Sequence, residues 1–250
     1  MQTSIWHKIS LFFQLSLAIV LLALLCYTVF YSQAYDWSSV WEYRELFLKG
    51  WLNTVYLSGI CLILSLIIGC IAAFSKLSAI PFFRYLATGY IEFIRGTPLL
   101  VQILVFYYVV AHAVGLENRL IVGVLSLSLF SGAYIAEMIR AGIESISSTQ
   151  LESARAICLT PFQTYRFIIF PQAVSQTLPP LAGQFASIIK DSSLLSIIGI
   201  NELTNTAQQI NSATYSTLES FFPLALGYLV LTLPISLLSK KLEERFRYET

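Results

Sequence analysis

Charge is scarce in this chain. Asp, Glu, Lys and Arg make up 12% of its 250 residues, against roughly 25% in ordinary soluble domains. The net charge of +1 points to no acidic or basic partner. Histidine occurs twice, at His7 and His112, too few and too distant to form a metal pair on one helix, so no metal site is expected. His112 reads as an interfacial residue. The four cysteines, Cys26, Cys61, Cys70 and Cys158, include no CxxC pair, so neither a disulfide framework nor a zinc site is suggested. They read as small hydrophobes. No Gly-Lys dipeptide occurs, and a Walker A loop needs one to hold phosphates. There is also no GxSxG nucleophile elbow, no low-complexity run and no domain-scale repeat. No catalytic residue is assigned, and the chain is not expected to be an enzyme.

What the sequence has in abundance is apolar surface. Hydrophobic residues account for 56% and mean hydropathy is +0.71, well above the roughly 45 to 50% apolar usage of soluble domains. The solvent is a bilayer. Charge-free intervals run over 9–35, 50–75, 96–116, 120–136, 167–189 and 220–239. A spanning helix needs about 20 apolar residues, so an all-α polytopic protein with six spans is expected. The first interval is too long for a signal-peptide core of about 7 to 15 residues, and "TVFYSQAYDW" is a poor cleavage site; it reads as an uncleaved anchor. The stretch 31–50, rich in Trp and Tyr, reads as an interfacial linker. With six spans, 10 of the 15 basic residues fall on one side: Lys8, Lys76, Arg84, Arg140, Arg155, Arg166, Lys240, Lys241, Arg245 and Arg247. The positive-inside bias then places both termini in the cytoplasm.

Residues 151–171, "LESARAICLTPFQTYRFIIFP", break this pattern. They carry Glu152, Arg155 and Arg166 and an amphipathic repeat, and they are too short and polar to span. Thr149 with Glu152 reads as a capping box. A second box follows at Thr160 and Gln163, with Pro161 in the first helical position. Two short helices joined near Thr160 are therefore expected, with Leu151, Ala154, Cys158, Phe162 and Tyr165 on one stripe. A helix lying on lipid headgroups, a plain connector and a helix docked in a partner's groove all remain open on these grounds.

The residues also carry a resemblance. "ESARAICLTPFQTYRFIIFPQA" resembles the EAA loop of ABC importer permeases: Glu-Ala-Ala, three residues, Gly, nine residues, Ile, one residue, Leu-Pro. Glu152, Ala154, Ile168 and Pro171 match, while Ser153, Cys158 and Phe170 replace Ala, Gly and Leu. A glycine at 158 would permit a left-handed backbone that a side chain penalises by roughly 1 to 2 kcal/mol, so the turn is expected at Leu159 and Thr160 instead. "EFIRGTPLLVQ" (92–102), "SGAYIAEMIRAGI" (131–143), "LPPLAGQFASIIKDSSLLSIIGINELT" (178–204) and "AQQI" (207–210) are similar to the polar amino-acid uptake branch, the histidine, glutamine and arginine permeases.

The resemblance implies an ABC type-1 transmembrane fold with a five-helix core plus one N-terminal helix. It divides the chain into an anchor and extracytoplasmic linker (1–49), a permease domain (50–242) with a cytoplasmic coupling loop (145–171), and a cytoplasmic tail (243–250). The implied setting is the bacterial cytoplasmic (inner) membrane. The implied partners are two ATPase subunits, a second permease subunit, identical or related, and an extracytoplasmic amino-acid-binding protein. This chain itself would hold no cofactor, and ATP and Mg would belong to the ATPase. Leu151, Glu152, Ser153, Ala154, Arg155 and Cys158 would form the ATPase-docking surface. An ion-gradient-driven transporter or channel is the alternative.

Substrate contacts are sought among polar groups at membrane depth. Glu92 and Arg95, at i and i+3, are expected to pair, with Gly96-Thr97-Pro98 bending the helix beyond them. Lys190 and Asp191 reach the outer face if their helix starts near Arg166. They sit at mid-membrane if Pro171, Pro179 and Pro180 delay it. Asn53, Ser131, Tyr134 and Gln184 either line a polar path or tie helices together.

Overall fold

The computed structural model describes residues 35–246 throughout and, ahead of them, Ser16, Leu17, Ile19, Val20, Leu21, Ala23, Leu24, Tyr27 and Thr28, all helical. Much of the expected anchor at 9–35 lies outside the described residues. A short helix α1 (Trp37–Glu42) leads into α2 (Arg44–Lys76), α3 (Pro81–Arg95) and α4 (Leu99–Val105), which continues as a π-helical stretch (Phe106–Ala111). Then come α5 (Arg119–Glu144), α6 (Ser148–Ala156), α7 (Pro161–Thr164) with a π-helical stretch (Tyr165–Ile169), and α8 (Phe170–Asp191). A 3-10 segment (Ser192–Ile198), α9 (Leu203–Thr214) and α10 (Thr217–Phe246) complete the described residues, whose regular elements are all helical.

Helices α2, α5 and α10 are long and apolar enough to cross a membrane, and α3 with α4 forms a fourth candidate, bent by 108° at the junction. The expected interval 167–189 lies almost wholly in α8, which falls short by the same criterion. Of the six spans expected, the described residues thus supply four by length and hydropathy. The α3–α4 bend falls at Gly96-Thr97-Pro98, as anticipated, because Pro98 has no amide to continue the ladder. Buried Gln102 compensates: its Nε2 lies 2.7 Å from the Ile94 carbonyl and 2.7 Å from Thr97 Oγ1, so polar groups freed by the break are not left bare in apolar surroundings.

Packing of α2 on α5 depends on small residues. Cys61, Ser65, Gly69 and Ala72 are buried on α2, and Ser128, Gly132 and Ala136 on α5. A Cβ on Gly69 would lie 2.5 Å from Ile135 Cγ2, and one on Gly132 would lie 2.8 Å from Ile68 Cγ2. Close approach of this kind replaces the hydrophobic drive that lipid cannot supply between helices. The pairing is parallel, since 61 meets 124, 69 meets 135 and 76 meets 137. Helix α8 runs the other way: Thr177 packs beneath Gly142 of α5, and Ile188 joins a cluster with Leu57, Cys61, Leu99, Ile103 and Leu127. Helix α10 is fastened to α2 and α8: Trp51 Nε1 donates to the Gly227 carbonyl (3.2 Å) and Ser239 Oγ to the Pro179 carbonyl (3.0 Å).

At the end of the bundle away from α6, Glu202 caps α9. Its fully buried carboxylate accepts from the Thr204 and Asn205 amides at 2.8 and 2.7 Å and from the Tyr228 hydroxyl at 2.7 Å. Thr54 Oγ1 accepts the Leu203 amide at 3.0 Å. Burial raises the Glu202 carboxyl above its ordinary range even against these donors.

Candidate functional site

The segment between α5 and α8 is built from two capped helical turns. Ser147, not Thr149, is the N-cap of α6: its hydroxyl accepts the Gln150 amide at 3.4 Å. Thr149 lies inside the helix, its carbonyl accepting the Ser153 hydroxyl, so the expected Thr149–Glu152 box does not form. Ser147, also a good cap residue, takes the cap two positions earlier. The second box forms as read: the Thr160 amide donates to Gln163 Oε1 (2.9 Å) and the Gln163 amide to Thr160 Oγ1 (3.3 Å), with Pro161 following.

The turn between them is made at Cys158. Its φ is +57°, its amide donates to the Arg155 carbonyl (2.9 Å), and the Leu159 amide reaches back to the Ala154 carbonyl (3.0 Å). These two bonds define a Schellman ending, in which the left-handed residue is normally glycine. The expected shift to Leu159 and Thr160 is therefore corrected: the hydrogen-bond pattern needs the left-handed residue directly after Ile157, the helix C-cap, and a cysteine is held there against its preference.

Exposure divides the anticipated docking stripe. Ala154 is 1% exposed and Leu151 is half-buried, so both support α6 from within the chain. Glu152, Ser153, Arg155 and Cys158 are exposed. Ile157 and Phe162 are large apolar side chains left open at 70% and 69%. Ile157 was not anticipated; a helical projection assumes the helix continues, whereas the chain turns at Cys158.

A second cluster lies toward the same end. Glu137 of α5 receives Lys76 Nζ of α2 at 3.0 Å and Arg140 Nε at 3.0 Å, while Arg140 also pairs closely with Glu144. Arg95 at the end of α3 approaches Glu137 at 4.0 Å, and its guanidinium lies over the Tyr134 ring at 5.6 Å. The expected Glu92–Arg95 pair is not made: Glu92 is exposed and outside every described ion pair. Glu137 is a better partner because it sits among cations from three helices. Its spacing to Arg140 and Glu144 is readable in "EMIRAGIE"; Lys76, 61 residues away, is not.

The other candidates disperse. Ser131 is fully buried with no hydrogen-bond partner, and Gln184 is buried on α8. Tyr134 packs its ring, tilted, against Phe130 (centroids 5.0 Å apart). Pro171, Pro179 and Pro180 all lie within α8, so the delayed start that would place Lys190 and Asp191 at mid-membrane does not occur. Lys190 stands about 30 Å along α8 from Phe170 at 1.5 Å per residue. It is exposed, and Asp191 is half-buried.

A bundle of close-packed apolar helices with a short polar helical elbow projecting at one end is the form of a membrane translocation subunit. Residues 65–248 match the family described as binding-protein-dependent transport system inner membrane component, and the chain belongs to that family, whose members are transport permeases rather than enzymes. It is 34% identical over 216 residues to the glutamine transport system permease protein GlnP of Escherichia coli (strain K12), covering 85% of this chain and 98% of that one. It is 34% identical over 213 residues to the probable glutamine ABC transporter permease protein GlnM of Bacillus subtilis (strain 168), covering 84% and 99%. Among solved structures, an amino acid ABC transporter crystallised with histidines matches at TM-score 0.80 and 36% identity, over 85% of this chain and 100% of that chain. The inward-facing MetNI methionine ABC transporter matches at 0.69 with 16% identity, over 83% and 99%, a likeness of fold.

Proposed function

We propose that this chain is the permease subunit of an ABC importer that carries a polar amino acid across the bacterial cytoplasmic membrane. The observation that carries the reading is the match to the amino acid transporter along that chain's whole length at TM-score 0.80 and 36% identity. Glutamine, named in the relatives, is the first cargo to test. Two ATPase subunits, holding ATP and Mg, close against α6. A second permease subunit completes the path, and an extracytoplasmic binding protein delivers the solute.

In this reading Glu152, Ser153, Arg155, Ile157, Cys158 and Phe162 form the face offered to the ATPase, with Ala154 and Leu151 as its footing. Motion of α6 passes through the Cys158 turn and α7 into α8. The contact of Gly142 with Thr177 relays it to α5. Charge-rich Glu137 ties α2, α3 and α5 together near this driven end. The chain crosses six times with both termini in the cytoplasm, as an anchor (1–49), a permease domain (50–242) and a tail (243–250). Reconstitution in proteoliposomes tests this: uptake of L-glutamine, L-histidine or L-arginine should require the binding protein and ATP. It should stop when the ATPase site is disabled. Uptake driven by an ion gradient without ATP would sink the proposal.

A further inference from the structure

At the end of the bundle opposite α6, residues 53–57 of α2, the start of α5 and the segment after the 3-10 turn form a half-open cavity of about 520 Å³, most of whose lining side chains are exposed. That volume lies within the usual range for small-ligand sites. Its wall includes Asn53, Tyr56, Glu117, Arg119, Gly199 and Asn201. Its charge sets it apart. Other pockets are apolar grooves, such as that between α2, α8 and α10 beside Leu62, Leu181 and Leu238, and the polar one beside Gln176, Ser239 and Glu243 holds a carboxylate without a cation. Here a carboxylate and a guanidinium line one space, and neither enters an ion pair among the described residues, whose four ion pairs all lie in the Glu137 cluster.

The wall is built rather than incidental. Gly199 has φ +73°, and a Cβ there would stand 2.7 Å from Arg119 Nη1. Only glycine suits both that backbone and a guanidinium resting against it. Asn201 is fixed from two sides, its carbonyl accepting Asn53 Nδ2 at 2.9 Å and its Oδ1 accepting Gln209 Nε2 at 3.0 Å. Asn118 Oδ1 accepts the Leu120 amide at 3.0 Å, which holds the turn carrying Glu117 and Arg119.

We propose that this cavity is a vestibule site for the zwitterionic head of an α-amino acid, with Arg119 receiving the carboxylate and Glu117 the ammonium. The guanidinium fork matches a carboxylate, and only a solute bearing both charges close together uses both side chains. The inference rests on the importer reading above, which makes this the outward end. The site lies far from α6 and holds the solute as it leaves the binding protein.

The test is saturation-transfer NMR on the assembled complex in nanodiscs without binding protein, using L-glutamine, L-histidine and L-arginine in turn. At least one should bind saturably, while its N-acetyl and carboxamide derivatives should not. Arg119→Gln and Glu117→Gln should each weaken binding about tenfold or more, the scale of a lost charged hydrogen bond. Arg119→Lys should fall between, keeping charge without the fork. No binding by the unaltered complex, or binding by both variants as tight as that of the unaltered complex, overturns the site. If the variants keep amino-acid binding but need more binding protein for half-maximal ATPase stimulation, the charges serve a protein contact and the vestibule is wrong. ATP-driven uptake by the unaltered complex is measured in parallel. Its failure counts against the importer reading, while the binding data still decide the site.

Discussion

Cys158 holds a left-handed backbone at φ +57° where the helix ending favours glycine, at a cost of roughly 1 to 2 kcal/mol. Part of that cost returns as the lower entropy of a non-glycine unfolded chain, about 0.5 to 1 kcal/mol. Cys158→Gly is therefore expected to keep full uptake, with stability unchanged or raised by up to ~1 kcal/mol. Cys158→Val, β-branched and poorly suited to positive φ, should lose ~1 kcal/mol or more; thermal unfolding of the purified complex measures both. Nearby residues separate footing from face. Ile157→Asp and Phe162→Asp alter exposed side chains and should abolish ATPase association at normal membrane levels. Ala154→Asp places a carboxylate at a site 1% exposed, an uncompensated burial, and should lower recovery of the permease itself. Copurification against membrane abundance tests the distinction, and equal recovery of ATPase with Ile157→Asp would remove these side chains from the contact.

At the scale of elements, the decisive joint is the one Glu137 makes among α2, α3 and α5. Its carboxylate is shared by Lys76 and Arg140 and approached by Arg95. Glu137→Gln leaves those cations without their common partner and should cost about 1 to 3 kcal/mol, below the full penalty for breaking a deeply buried pair. Lys76→Met in the same chain should recover part of the loss, because one stranded charge goes with its partner. Thermal unfolding of the single and double variants reads the coupling. An unchanged stability with a raised KM for uptake would instead place Glu137 in the solute path.

For the whole molecule, the α6 end and the α9 end face opposite sides of the membrane in the six-span arrangement. In a background lacking the native cysteines, Ser148→Cys should be shielded from an impermeant reagent added outside cells, and Ser38→Cys should react. Labelling of both from outside would defeat the arrangement. The amounts of reagent bound before and after lysis decide it.

How much of this was legible in the sequence depends on the range of the interaction. Hydropathy fixes the solvent and the long helices, because each apolar stretch buries its own backbone bonds regardless of partners. The α3–α4 bend at Gly96-Thr97-Pro98 and the Thr160–Gln163 box are equally local, since each is decided within four residues or so. The capping of α6 by Ser147 was local too, yet Thr149 offered a rival cap that sequence could not exclude. Beyond that range, partners are chosen by which helices lie side by side. Arg95 turns to Glu137 rather than Glu92, Lys76 finds a carboxylate 61 residues away, Ala154 becomes footing, and Glu117 and Arg119 meet Asn53 and Asn201 around one cavity. No spacing encodes these meetings. They follow from the close approach of α2 and α5 at Gly69 and Gly132, which brings together charges that the sequence keeps apart, and from the fold of the chain around Gly199, which brings Asn53 and Asn201 to the Glu117–Arg119 turn.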